Sequence, residues 1–140
     1  MTTRVSPLTK TTLLASDPAE YMNEAQLGFF RQRLLDMKAE LLRNASDTAE
    51  RLRELTIPSD PADRATLEEE HALELRARER ERKLLAKVEA ALRRIEDRSY
   101  GYCEETGELI GIPRLLARPT ASLTIDAQDR RERSQKTFAG

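Results

Sequence analysis

Residues Asp60–Asp97 read DPADRATLEEEHALELRARERERKLLAKVEAALRRIED. The stretch has no glycine, and its one proline is the second residue. It is built from Ala, Glu, Leu, Lys and Arg, the residues that lose least on entering a helix. Asp60 offers a side-chain oxygen to the first free N–H groups, and Pro61 suits the first helical position. Asp63 adds a carboxylate in the first turn, where the helix dipole favours it. The spacing predicts one helix from Pro61 to about Arg98. Its apolar seam is clear at Leu84 or Leu85, Val88, Ala91 or Leu92, and Ile95. The seam is poor across Arg76–Lys83, where only Ala77 is apolar. Acid–base pairs four apart (Glu74–Arg78, Glu79–Lys83, Glu89–Arg93) support a solvated helix there.

Upstream, Leu27, Phe30, Leu34, Met37 and Leu41 recur at three and four, the spacing of a coiled-coil seam. The pattern continues with a shift through Leu42, Ala45, Ala49 and Leu52 to an end near Leu55. Two starts compete for this first helix: Asp17-Pro18-Ala19-Glu20, and Asn23-Glu24-Ala25-Gln26 with its capping-box spacing. Ile57-Pro58-Ser59-Asp60-Pro61 breaks the helix, because residues before proline are pushed out of the helical region. No other glycine or proline interrupts the chain between Gly28 and Gly101. Two long helices joined by so short a break must lie antiparallel. The expected fold is therefore mainly α: a long antiparallel coiled-coil hairpin over 23–98, its tip near 56–63. At about 1.5 Å per residue, roughly 33 residues give a rod of about 50 Å.

Residues 1–22 read as a loosely docked arm with one short apolar patch, Leu13-Leu14-Ala15. That patch is too short for a signal-peptide core. No run of about 18 apolar residues crosses a membrane. The expected location is cytoplasmic, and a lone cysteine suits a reducing compartment.

After Arg98 the texture changes. Tyr100–Cys103 and Glu108–Ile112 flank Glu104–Gly107, the pattern of a short β-hairpin. Pro113 and Pro119 punctuate the next stretch, and a last helix is expected over Ile125–Phe138. Cys103 and Thr106, then Thr124 and Ala127 seventeen residues on, stand at the spacing of a C-x2-C…C-x2-C zinc site. One thiolate cannot hold a tetrahedral Zn²⁺. Residues 99–140 therefore read as a small zinc-ribbon-like module, metal-free, with a terminal helix.

The composition narrows the function. The 24 Lys and Arg nearly balance the 25 Asp and Glu, so the net charge of −1 does not advertise a nucleic-acid binder. The balance is not local. From Glu54 to Glu70 six acids face one base; from Arg76 to Arg98 nine bases face five acids. The hairpin is acidic at its tip and basic along its stem. One His and one Cys give no catalytic triad, and no phosphate-binding loop occurs. His71 reads as a helix-surface residue and Cys103 as a half-buried structural thiol.

The chain closely resembles the DksA/TraR family of RNA polymerase-binding transcription factors. The resemblance covers roughly residues 20–140. It rests on EYMNEAQL at Glu20–Leu27, the DPxDRA tip, the LRxRxRERKL stem and the GIxRLxARPTA segment from Gly111. It implies a non-enzymatic regulator whose finger enters the secondary channel of RNA polymerase and alters promoter-complex stability. Ribosomal RNA promoters would be repressed and some biosynthetic promoters activated, with the alarmone ppGpp as effector. On this resemblance Asp60, Asp63 and Ala65 form the tip near the polymerase active centre, and Arg80 is the stem residue for polymerase binding. The ppGpp positions fall on Leu84, Lys87, Arg118 and Gln128. Gln128 departs from the family's lysine, while Lys87 and Arg118 keep the cations that phosphate wants. The degenerate metal positions are those of the family's zinc-lacking members. The resemblance further implies a monomer with no membrane association and no direct sequence-specific DNA binding.

Two other readings fit the residues. A Gre-like transcript-cleavage factor also carries an acidic-tipped coiled coil, and its acids hold Mg²⁺. A generic coiled-coil adaptor would need no polymerase. Promoter DNA is a weaker third partner, since no recognition helix or stacking aromatics accompany the basic stem.

Overall fold

The computed structural model describes residues 8–54 and 57–139, with side chains to Thr137. The expected helix end at Leu55, the tip's first residue Thr56, and residues 1–7 of the arm lie outside the described residues. Among the described residues five α-helices follow one another: α1 (Lys10–Leu14), α2 (Glu24–Arg53), α3 (Pro61–Glu96), α4 (Ile112–Ala117) and α5 (Ile125–Ala139). A 3₁₀ turn, Pro18–Glu20, stands between α1 and α2.

Both competing start signals are used, each for its own turn. Asp17 caps the 3₁₀ turn through the N–H of Ala19. Asn23 opens α2, its Oδ1 accepting from Gln26 N–H at 2.9 Å. Gln26 answers with its Oε1, which takes the N–H of Met22 at 2.8 Å, one residue before the usual capping-box partner. The α3 start is as the sequence predicts, with Ala62 N–H donating to Asp60 Oδ1 at 2.9 Å.

The chain divides into two compact units, Asp36–Glu89 and the remainder. In the first, α2 and α3 are antiparallel. Lys38, midway along α2, reaches Glu89, late in α3, at 3.8 Å. Arg51, late in α2, reaches Glu74 at 3.7 Å. Leu41, Thr48 and Val88 are buried, and Ala45, Leu52, Leu67, Ala77 and Leu84 are half-buried. The inner face departs from the sequence pattern in two places. Leu42 is 49% exposed, and Thr48 is buried instead. On α3 the repeat of sevens runs through Leu67, Glu74, Glu81 and Val88, so two half-buried carboxylates sit among the seam positions.

The predicted acid–base pairs four apart on α3 are not those the structure forms. Glu74 and Glu89 turn to α2, and Glu79 takes Arg82 instead of Lys83, Arg82 Nη2 lying 2.7 Å from Glu79 Oε1. The Arg82 hydrogen bonds hold the Glu79 carboxyl below the usual carboxylate range.

The second unit has a core of Leu13, Leu27, Phe30, Leu34, Ile95, Tyr100, Leu115 and Leu123, all buried. Where the sequence offered only a short apolar patch, Lys10–Leu14 form a helix capped reciprocally by Thr9 and Thr12. It packs on α4, and Leu13 is buried. The expected β-hairpin is reduced to a single antiparallel bridge, Tyr102 with Leu109. Glycines explain the brevity: Gly101 and Gly111 take φ of +92° and +101°, which bends the chain out of a ladder at both ends.

The bends are tied by Tyr21. Its hydroxyl donates to Gly101 O at 2.6 Å and accepts from Gly111 N–H at 2.9 Å. Burial raises the phenol's pKa and keeps it protonated as the donor. Tyr100 packs on Phe30, ring centroids 5.6 Å apart, and donates to Pro119 O at 2.8 Å.

A methyl group at Gly101 would meet Met22 Cγ at 2.7 Å and Tyr21 Oη at 3.2 Å. Gly101→Ala is therefore expected to cost about 2–4 kcal/mol in chemical denaturation, combining positive φ with overlap. Gly28→Ala has the opposite sign. That position lies inside α2 with nothing within 4 Å of the added methyl, and should gain about 0.5–1 kcal/mol. Tyr21→Phe leaves Gly111 N–H without its acceptor and should cost about 1–3 kcal/mol. Equal melting of parent and Tyr21→Phe would show that water replaces the hydroxyl.

Candidate functional site

The tip positions are adjacent at the start of α3 and exposed. Asp60 spends one carboxylate oxygen on the helix cap. Asp63 and Ala65 follow on the first turns. Asp63 is exposed and makes no hydrogen bond or ion pair among the described residues. Asp60 caps α3 as the sequence predicts, and Asp63 takes no part in the cap. The two carboxylates thus differ: one is held by the backbone, the other is free to meet a partner.

A groove of about 650 Å³ runs between α2 and α3 within the same unit, and Leu52, Leu67, Leu73, Ala77 and Arg80 are among its walls. A second, of about 320 Å³, lies closer to the tip beside Ile57, Leu67 and His71. Ile57 is 77% exposed and Leu73 60%. These apolar side chains escape periodicity reasoning because they stand off the seam.

Arg80 is exposed and forms no ion pair among the described residues. Of the four positions matched to an alarmone site, Leu84 is half-buried and Lys87 exposed on α3. Arg118 is exposed at the end of α4, and Gln128 lies on α5 with its Nε2 donating to Glu132 Oε1 at 3.0 Å.

The four degenerate metal positions do come together, but as packing. Ala127 is fully buried. Thr124 caps α5: its Oγ1 accepts from Ala127 N–H at 3.2 Å and faces Cys103 Sγ at 3.9 Å. Thr106 Oγ1 accepts from Glu108 N–H at 3.2 Å. One thiol, two hydroxyls already engaged and a methyl do not fit a tetrahedral zinc. Among the described residues no group of three or more His, Cys, Asp or Glu stands close enough to hold a metal ion.

Cys103 is buried, where the sequence reading had it half-buried. Burial pushes its thiol pKa up. Hydrogen bonds to the sulfur from the Thr106 side chain and from backbone N–H groups of Thr124, Thr106 and Glu105 outweigh that and bring it down to about 7. Ring-like donor sets of this kind stabilise a thiolate. Arg94 reaches Glu104 at 3.7 Å, and Arg131 holds Glu105 at 2.7 Å. Both pairs anchor the loop that carries Cys103. Among the described residues no helix is long and apolar enough to cross a membrane.

Residues 26–95 match the family described as DnaK suppressor protein DksA, N-terminal domain. Residues 98–133 match the prokaryotic dksA/traR C4-type zinc finger. The chain is 52% identical to the RNA polymerase-binding transcription factor DksA of Caulobacter vibrioides, over 86% of each chain. It is 48% identical to that of Escherichia coli K12, over 86% of this chain and 81% of the relative. The solved structure of transcription factor DksA2 from Pseudomonas aeruginosa superposes with a TM-score of 0.81 at 47% identity, covering 91% of this chain and 99% of that one. These two family matches and the half identity over most of the chain show that it belongs to the DksA/TraR family, with Thr106, Thr124 and Ala127 at three of the four finger positions where Cys103 alone is a cysteine.

Proposed function

We propose that this protein binds RNA polymerase and regulates transcription without performing chemistry of its own. Names of relatives at about half identity over most of the chain support the partner. The observation that carries the reading is the inequality at the tip: Asp60 is committed to its cap, while Asp63 is exposed and unpaired among the described residues. A carboxylate presented at a helix start can meet donors in a channel without unfolding the helix behind it. The finger acts through the polymerase secondary channel in the cytoplasm, changing promoter-complex stability so that ribosomal promoters are repressed and some biosynthetic promoters activated. Arg80 on the stem supports docking, and Lys87 and Arg118 suit the phosphates of ppGpp. Gln128 brings an amide where the family's lysine would bring a charge, so the ppGpp response should be weaker than a lysine would give. The module folds without zinc, as a monomer.

A Gre-like cleavage activity needs both acids on one Mg²⁺. The cap on Asp60 disfavours that use.

Run-off transcription from a ribosomal promoter, with and without ppGpp, tests the reading directly. Asp63→Asn is expected to keep polymerase binding and lose inhibition; continued inhibition by the variant would remove Asp63 from the mechanism. Shortened transcripts from stalled complexes would favour cleavage instead. Elemental analysis of the purified protein should find far less than one zinc per chain. One equivalent would overturn the metal-free reading. Ultraviolet titration of the thiolate should give a midpoint near 7 for Cys103. The folded value lies below that of an unfolded thiol, so stability should rise with pH from about 7 upward. Cys103→Ala should abolish that rise.

A further inference from the structure

Leu73 stands at a reversal of charge along α3. From Asp63 to Glu70 four acids face one base, a net −3; from Arg76 to Lys83 five bases face two acids, a net +3. The two segments are equal in length, one ending and the other beginning three residues from Leu73. Beside the seam of Leu67, Glu74, Glu81 and Val88, the residues Thr66, Glu69, Leu73, Arg76 and Arg80 advance by three, four, three and four. Such spacing makes a single stripe of helix surface. All five are exposed, Leu73 by 60%. Glu69, Arg76 and Arg80 make no ion pair or side-chain hydrogen bond among the described residues.

A partner of one sign suits only half of this stripe. An acidic surface would meet Arg76 and Arg80 but be repelled by Glu69 and its neighbours Glu68 and Glu70; a basic surface or a phosphate backbone would meet the reverse conflict. The groove that Leu73 lines is mixed as well, with Glu70, Glu74 and Glu81 beside Arg51, Arg78 and Arg80. Leu52, Leu67 and Ala77 give it apolar wall. A second copy of the chain, run in the reverse direction, satisfies both halves at once. With a two-fold axis through Leu73, residues equally far before and after it come opposite one another. Leu73 meets its own twin, Glu69 lies against the partner's Arg76 at two symmetric contacts, and Thr66 lies against the partner's Arg80. Like charges coincide only where Arg64 comes level with Arg82, and Glu79 already neutralises Arg82. Glu79 also acts on Lys83, so the cations that count are Arg76 and Arg80.

We propose that two copies of this chain pair through α3, antiparallel about a two-fold axis at Leu73. The contact runs from Asp63 to Lys83 on each copy, about 30 Å of helix. An interface one helix wide falls at the small end of specific contacts, so the pair is weak and forms by mass action. Pairing covers Leu73, which the two-helix unit leaves exposed. It also covers Arg80 and sets Asp63 against the partner's basic stretch. On the polymerase reading above, the pair is thus the resting form, and the single chain is the form that enters the channel.

Sedimentation velocity of the full chain tests this without polymerase, with folding followed by thermal melting. The parent is expected to pass from monomer to dimer between about 1 and about 100 μM at low salt, and to return towards monomer at high salt. A parent that stays monomeric throughout overturns the proposal. Leu73→Ala should weaken pairing about tenfold at an unchanged melting temperature. Glu69→Arg and Arg76→Glu each set like charges against one another at both symmetric contacts, and each should weaken self-pairing about tenfold. Mixed in equal amounts the two variants should pair again, because the arginines of one then face the glutamates of the other. A mixture that stays monomeric, or pairing that survives all three substitutions, overturns the antiparallel contact. A parent that pairs but leaves transcription unchanged would uphold the contact and remove only the polymerase reading.

Discussion

Two helices packed side by side have one seam to bury, and much of this protein follows from how little that seam can hold. A two-helix layer has no third element to cover its outer faces. Among the described residues of the unit spanning Asp36–Glu89, only Leu41, Thr48 and Val88 are buried. The remaining seam positions are half-buried, and two of them are glutamates. The unit is therefore held by continuous helical hydrogen bonding and a thin apolar line, with cross-helix ion pairs at its edges. Exposed pairs of that kind are each worth about 0–1 kcal/mol. Their larger consequence is arrangement. By drawing Glu74 and Glu89 towards α2, they leave much of the outer surface of α3 basic.

The other unit solves a different problem. A small module with few aromatic residues is commonly held by a metal or by disulfides. Here the equivalent positions carry Cys103, Thr106, Thr124 and Ala127. Thr124 has become a helix cap and Ala127 a core residue. The tie is supplied from the other end of the chain: Tyr21 joins Gly101 to Gly111, and Leu13 enters the core. The backbone N–H groups around Cys103 still converge on its sulfur and favour its ionised form. A donor set suited to thiolate thus persists where the ligand set for zinc has gone.

The tip shows how a helix start divides its acids. A helix start must satisfy its free N–H groups. Asp60 meets that need, and Asp63 on the first turn is exposed without a partner among the described residues. That division is a matter of which oxygen reaches which N–H, and it separates two residues that look equivalent on paper.

The sequence by itself determined the three longer helices, α2, α3 and α5, the proline break between α2 and α3, and the polarity of charge along them. These are local properties: residue propensity, proline geometry and three–four periodicity act over a few positions. The resemblance carried by the tip, stem and finger motifs was equally legible, because motifs are strings. What only the tertiary structure decided was partnership. Glu74 sits four residues from Arg78 yet turns to Arg51; Thr48 is buried and Leu42 is not; the expected β-hairpin shrinks to one bridge; Tyr21 reaches residues eighty and ninety positions away. Each outcome depends on what the chain brings close in space, and an acid with two bases in reach takes the one whose geometry and surroundings suit it. Spacing along a helix identifies the candidates for a contact, and packing selects among them.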